Sequence, residues 1–282
     1  MAIQIITDSN CDLPEEIIKK YNIEVLPILV YLDDVEYLDG VTIKPKKIFD
    51  DMKEGKVYKT SQIPPDMFSK VFDKYVKEGK ECIYIAISSE LSGTYQSAVM
   101  ARNEILEEFP EADITNIDSQ CVSLGFGLVV YKAALMAESG KSKDEIIEAV
   151  KQSAQNMEHV FTVDNLEYLC RGGRLSRTSA FVGGLLNIKP ILSVENGKLV
   201  PLEKIRGRAK VIKRIVDLMK ERGNNLSDQT IAISHGDDLE TAHKLKNMIE
   251  EEFGCKDFII NNIGCAIGSH AGPGTLALFF SK

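Results

Sequence analysis

Short apolar runs separated by polar, helix-spaced stretches set the rhythm of the first half of the chain. Ile3–Ile6, Val25–Tyr31, Ile83–Ile87 and Ile114–Ile117 are too short for helices and rich in β-branched residues, which predicts strands. Asp12-Leu13-Pro14-Glu15-Glu16 reads as a helix start, with Asp12 as N-cap and the proline just inside. Strands alternating with helices predict βαβ units and a mainly parallel sheet. Three of the strands run into hydroxyl-bearing loops: Thr7-Asp8-Ser9, Ser88-Ser89 to Thr94, and Asp118-Ser119 to Ser123. In open α/β sheets ligands bind outside the carboxyl ends of the strands, so these loops are expected to share one functional edge.

The pattern changes in the second half. Lys189–Val194 and Lys198–Lys204 flank Glu195-Asn196-Gly197, a hairpin signal. A basic helix over Ala209–Glu221 follows, then strand Thr230–Ser234, helix Leu239–Phe253, strand Asp257–Asn262 and a last strand Thr275–Phe280. The expected fold class is α/β: an N-terminal mainly parallel sheet flanked by helices, plus a C-terminal α+β domain with a mixed sheet. The domain boundaries are expected at residues 1–158 and 159–282.

Composition narrows the function classes. With 282 residues, 44% hydrophobic and 27% charged, the chain reads as an ordinary globular protein able to bury two cores. The N-terminus lacks a basic leader with an apolar core, and no apolar run approaches the roughly 20 residues of a membrane helix. The six cysteines form no Cys-x-x-Cys pair, which favours reduced thiols and a cytoplasmic location. A net charge of −8 argues against wrapping nucleic acid. That charge is uneven: Arg171–Arg214 holds eleven Lys or Arg against two acids, a local +9 that leaves −17 elsewhere. Such a segment is either a solvated basic face or a docking surface for an acidic partner.

The candidate chemistry lies in loops. Ser88-Ser89-Glu90-Leu91-Ser92-Gly93-Thr94 offers more hydroxyls than one helix cap needs, at a strand-to-helix turn whose free N–H groups favour an anion. Thr60-Ser61 either caps the helix expected near Asp66 or adds a second hydroxyl cluster. Arg171, Arg174 and Arg177 surround a Gly-Gly turn and present planar donors for carboxylate or phosphate. His270 sits in the glycine-rich Gly268–Gly274 loop, as a structural residue or an anion contact. The nearly all-apolar stretch Val122–Tyr131, with Gly125 and Gly127, is a core helix or the wall of an apolar tunnel. No phosphate-binding loop, dinucleotide fingerprint or zinc spacing is present, so no cofactor or metal is expected. Ser92 lacks the Gly-x-Ser-x-Gly elbow of a hydrolase nucleophile.

Taken together, these motifs resemble the DegV family of bacterial fatty-acid-binding proteins. The resemblance rests on Thr7-Asp8-Ser9 with Asp12-Leu13-Pro14, Thr60-Ser61-Gln62, Ser88-Ser89-x-Leu91-Ser92-Gly93-Thr94-Tyr95, Asp164-Asn165-Leu166-Glu167-Tyr168-Leu169, Arg171-Gly172-Gly173-Arg174-Leu175-Ser176 and His270-x-Gly272-Pro273-Gly274. It departs where Ile63 separates Gln62 from the proline that usually follows directly. The resemblance implies two domains with one long-chain fatty acid in a tunnel between them. It implies a carboxylate held by Thr60, with Ser61 beside it, and by Ser92, with the Gly93 amide beside it, and His270 close to the head group. It also implies a carrier with no catalytic residues of its own, which presents the acid to a separate ATP-dependent fatty acid kinase. That kinase would make an acyl-phosphate for phospholipid synthesis, with Arg171, Arg174 and Arg177 at the docking surface. Two other readings stay open: an acyl hydrolase or transferase using Ser92 and His270, and a regulatory interaction module whose lipid is incidental.

Overall fold

The computed structural model describes residues 2–176 and 188–282. In chain order the first part comprises β1 (Ile3–Asp8), α1 (Glu15–Lys20), β2 (Glu24–Leu26), β3 (Leu29–Leu32), β4 (Val35–Leu38), α2 (Pro45–Lys53), β5 (Tyr58–Ser61), α3 (Pro65–Lys77), β6 (Glu81–Ala86), α4 (Thr94–Glu108), β7 (Ile114–Asp118), α5 (Ser123–Glu138) and α6 (Lys143–Gln155). The second comprises β8 (Met157–Thr162), α7 (Glu167–Arg171), β9 (Ile188–Glu195), β10 (Lys198–Arg206), α8 (Arg208–Arg222), β11 (Thr230–His235), α9 (Leu239–Phe253), β12 (Asp257–Asn262), α10 (Cys265–Ala271) and β13 (Leu276–Ser281).

A parallel sheet of order β2-β1-β6-β7 faces a mixed sheet of order β10-β9-β8-β13-β11-β12. In the mixed sheet only β11 and β12 run parallel among the described pairs. Helix α5 lies between the two sheets. Its Leu124, Phe126, Val129 and Val130 share one core with Ile5, Ile83 and Ile85 of the first sheet and Phe161, Ala277 and Phe279 of the second. A helix covered on two sides has no reason to be amphipathic, which explains its apolar sequence. Gly125 and Gly127 let it approach closely: a Cβ on Gly125 would lie 2.6 Å from His159 Nε2, and one on Gly127 2.3 Å from the Cys11 carbonyl oxygen. Helices α3 and α4 bury the outer face of the first sheet, and α8 and α9 that of the second.

Two local expectations are corrected. Val25–Tyr31 is not one strand, because Pro27 lacks the N–H a ladder needs. The chain leaves the parallel sheet after β2 and enters a separate antiparallel sheet of order β4-β3-β5. Asp12 is not the cap of α1, which starts at Glu15 without a side-chain cap. Asp12 instead adopts a left-handed conformation (φ 51°). Its carboxylate accepts from the Gly264 amide at 2.8 Å and from Ser123 Oγ at 2.5 Å. It is a tie between distant parts of the chain.

His159, on β8, gives the fold a pH dependence. Burial holds its imidazole down to about 4, while Nε2 accepts from the Val122 amide at 3.2 Å. Between pH 6.5 and 4 the unfolded chain gains a proton here that the folded chain refuses, so stability falls as pH falls through that window. The contribution is on the order of 3 kcal/mol. Asp8, pushed up to about 6 by burial, acts in the opposite sense: its contribution is present below its ordinary 3.8 and lost as pH rises through about 6. His159→Gln, which cannot titrate, should therefore lose less stability than the native protein between pH 6.5 and 4. Denaturant unfolding at the two pH values checks this; equal losses would contradict it.

Candidate functional site

A cavity of about 340 Å³ opens between the two sheets at the carboxyl ends of β1 and β6. Most of its wall is apolar: Ile28, Ile87, Leu91 and Val122 on one side, Phe161, Leu199, Ala277 and Phe279 on the other, and Ile263, Ala266, Ile267 and Ala271 around α10. Polar groups concentrate where Thr60, Ser61, Gln62, Ser92, Gly93, Arg174 and His270 meet.

Thr60 and Ser61 end β5, which pairs with β3. They are strand residues, and α3 begins four residues after Ser61 without a side-chain cap, so capping does not explain them. Ile63, the residue that interrupts the motif, is fully buried in the core under α3 and α4. It anchors this loop from behind. The loop meets its neighbour closely: a Cβ on Gly93 would lie 1.9 Å from Gln62 Oε1, and Gln62 Nε2 donates to Ser97 Oγ at 2.9 Å.

The Ser88–Thr94 loop is only partly available to a ligand. Ser88 Oγ donates to the Gly197 carbonyl at 2.8 Å, holding the tip of the β9–β10 hairpin, and Ser89 Oγ donates to Asp118 at 2.6 Å. The apparent surplus of hydroxyls thus shrinks to Ser92 and Thr94, whose oxygens lie 2.8 Å apart. Helix α4 starts from Gly93 with no side-chain cap, so the positive end of its dipole is directed at this corner.

His270 reaches the same corner from α10. Asp39, beyond β4, accepts from the Cys265 and Ala266 amides at 2.8 and 3.2 Å and from Ser9 Oγ at 2.8 Å, which fixes the start of that helix. Burial pushes the Asp39 carboxyl above its ordinary range, and these donors oppose the shift. At the other end of α10, His270 Nε2 lies 2.7 Å from Thr60 Oγ1. Gly172 leaves room for the ring, since a Cβ there would lie 2.1 Å from Nδ1. Burial, with nearby Arg174 acting in the same direction, lowers His270 to about 4, so the ring is neutral at neutral pH. Ser92 and His270 do not share a hydrogen bond; each is engaged elsewhere.

The arginines separate. Arg174 enters the cavity wall, donating from Nε to Leu91 O at 3.1 Å and from Nη1 to Gly172 O at 2.6 Å. Arg171 is exposed, with its guanidinium 5.3 Å from the centre of the Tyr168 ring. Arg177 lies outside the described residues. No group of acidic, histidine or cysteine residues suited to a metal occurs among the described residues. Nor is any described helix long and apolar enough to cross a membrane.

The family model described as "Uncharacterised protein, DegV family" matches residues 2–282. The chain belongs to the DegV family. A DegV domain-containing protein of Clostridium perfringens is 44% identical over 98% of this chain and 96% of its own length. One from Caldanaerobacter subterraneus is 40% identical over 99% of each. Among solved structures, a fatty-acid-binding DegV family protein from Thermus thermophilus superposes with a TM-score of 0.91 at 30% identity, covering 100% of both chains. DegV from Bacillus subtilis, described as a fatty acid binding protein, gives 0.87 at 30% identity, also over 100% of both. A stearic acid-binding protein from Eubacterium ventriosum gives 0.91 at 26% identity over 98% of this chain and 97% of its own. The α/β architecture with a mixed second sheet is therefore that of DegV proteins.

The cavity contains residues that motif reading passed over. Phe161, Ala277 and Phe279 come from central strands of the second sheet, whose apolar runs show burial without showing which face lines a cavity. Asp39 carries no sequence signal at all. Its role follows from the meeting of the loop after β4 with α10, far apart in the chain.

Proposed function

We propose that this DegV protein binds one long-chain fatty acid, with the acyl chain in the cavity between the sheets and the carboxylate at the Thr60–Ser92–His270 corner. One observation carries this reading: an apolar cavity of about 340 Å³ ends in a cluster of hydroxyls, a helix start and a neutral imidazole. A carboxylate buried with its tail needs hydrogen bonds to offset lost hydration. On the Nε2–H tautomer, His270 donates to Thr60 Oγ1, and the Thr60 O–H is free to donate to the carboxylate. His270 is thereby a positioning residue behind Thr60. Ser61, the Ser92 hydroxyl and the Gly93 amide complete the head-group set, and Arg174 adds positive charge nearby. Burial of the tail contributes about 0.8 kcal/mol per methylene, set against association costs of about 4–15 kcal/mol. Calorimetric titration with a saturated fatty acid and with the primary alcohol of equal length tests the reading. The acid should bind at least about tenfold more tightly; equal binding would contradict it.

The protein is proposed to act as a carrier that presents the acid to a separate ATP-dependent kinase for acyl-phosphate formation. Arg171, Arg206, Lys210 and Lys213 support this: all are exposed, and no ion pair involves them among the described residues. Arg171→Ala should leave fatty-acid affinity within about twofold of the native value, because its side chain is outside the cavity, while lowering acyl-phosphate yield with the kinase. Loss of lipid binding in that variant would contradict the docking role.

A further inference from the structure

Asn10, in the turn after β1, lines the cavity beside Val122 and Ser123 and is only 4% exposed. Its amide has a fixed orientation. Nδ2 donates to Asp8 Oδ1 at 2.7 Å, and the Asn10 backbone amide donates to the same oxygen at 3.2 Å. Asp8 Oδ2 in turn accepts from the Tyr84 hydroxyl and the Ile87 amide, so this carboxyl group is an acceptor and the NH₂ end of Asn10 faces it. The carbonyl end is turned the other way. Among the described residues no donor engages Asn10 Oδ1. Asn10 is itself one of the residues that line the cavity.

The polar neighbours on this part of the wall are committed. Ser123 Oγ donates to Asp12 Oδ2 at 2.5 Å and lies 2.8 Å from Ser234 Oγ, and Thr275 Oγ1 donates to the Ala271 and Gly272 carbonyls. Asn10 shares no hydrogen bond with the Thr60–His270 pair. It is a separate, oriented acceptor in a part of the wall whose other polar side chains, Ser123 and Thr275, are already hydrogen-bonded.

We propose that Asn10 Oδ1 accepts a hydrogen bond from a hydroxyl carried on the acyl chain, so that the cavity selects a monohydroxylated long-chain fatty acid over its unsubstituted parent. The inference rests on the fatty-acid reading above and specifies its substrate class. An unsubstituted chain leaves the acceptor dehydrated and unpaired, whereas a hydroxyl at the matching carbon satisfies it. Away from the polar corner, a hydroxyl at any other carbon enters the apolar part of the wall without a partner and weakens binding. Selection is therefore by position along the chain as well as by the presence of the group.

Calorimetric titration of the native protein and of Asn10→Leu with octadecanoic acid and a positional series of its monohydroxy derivatives tests this. One narrow range of positions should bind the native protein about tenfold more tightly than octadecanoic acid. In Asn10→Leu that preference should vanish and the unsubstituted acid should bind more tightly than it does to the native protein. If every hydroxy acid binds the native protein more weakly than octadecanoic acid, the proposal is wrong while the fatty-acid reading stands. A preference that persists in Asn10→Leu overturns it equally. No binding of any acid to the native protein would instead refute the underlying reading. Because Asn10 also supports Asp8, the variant is checked by thermal melting; if it fails to fold, the native positional series alone decides.

Discussion

Thr60→Val lowers the affinity for a long-chain fatty acid by about ten- to a hundredfold in calorimetric titration, and leaves the melting temperature near the native value. The magnitude follows from the chemistry of the lost group. A hydrogen bond to a charged acceptor contributes about 1.5–3 kcal/mol, more than a bond between neutral groups. Valine keeps the volume and β-branching that suit β5, so the ladder to β3 at Val30 persists. The substitution also leaves His270 Nε2 without the oxygen it meets at 2.7 Å, but His270 is only part-buried and lines the cavity, where water can replace that oxygen, so stability changes little. Ser92→Ala should cost less than Thr60→Val, because Ser92 Oγ already shares its hydrogen-bonding capacity with Thr94 Oγ1 and the Thr94 amide. An affinity unchanged by Thr60→Val would remove Thr60 from the head-group site.

Asp39→Ala has the largest expected effect on stability. The carboxylate is 4% exposed and accepts from three donors, Ser9 Oγ and the Cys265 and Ala266 amides. Alanine removes the acceptor but leaves all three donors in place, two of them backbone groups that cannot move away. A buried donor left unpaired costs about 1–3 kcal/mol, so a loss of about 3 kcal/mol overall is expected, or roughly 6–12 °C in melting temperature. The damage should reach the ligand. The amides belong to the first turn of α10, and the same helix supplies Ala266, Ile267, Ala271 and His270 to the cavity. Fatty-acid affinity should therefore fall in Asp39→Ala even below its melting point. Asp39→Asn, which keeps one acceptor oxygen, should lie between the two in stability. Wild-type stability in Asp39→Ala would show that α10 is held without Asp39, by its apolar contacts and the Asp12–Gly264 hydrogen bond.

Elements with strong periodicity were legible from the residues. Leu239–Phe253 and Asp257–Asn262 occur with the boundaries their patterns predict, and the Glu195-Asn196-Gly197 hairpin forms between β9 and β10. The small β4-β3-β5 sheet was not legible, because Val35-Glu36-Tyr37-Leu38 and Tyr58-Lys59-Thr60-Ser61 are too short and too polar to signal strands without their partners. The same shortness obscured the site. Thr60 reads equally as a helix cap or a hydroxyl of a ligand cluster until β5 places it on a strand opposite Val30. Ser88 and Ser89 read as ligand groups until Gly197 and Asp118, distant in sequence, take their hydroxyls. Arg171 and Arg174 are three positions apart, yet one is exposed over Tyr168 and the other lines the cavity. Local chemistry pointed to loops that line one cavity. Which hydroxyls remained available depended on contacts made only after folding.

Denaturing extraction of the purified protein, followed by mass spectrometry and by a thermal-shift assay with added fatty acid, tests the central claim most directly. One long-chain fatty acid per chain is expected in the extract, with a rise in melting temperature when the delipidated protein is given the acid back. An extract without fatty acid, together with no thermal shift on adding one, would contradict the assignment of this cavity to a lipid.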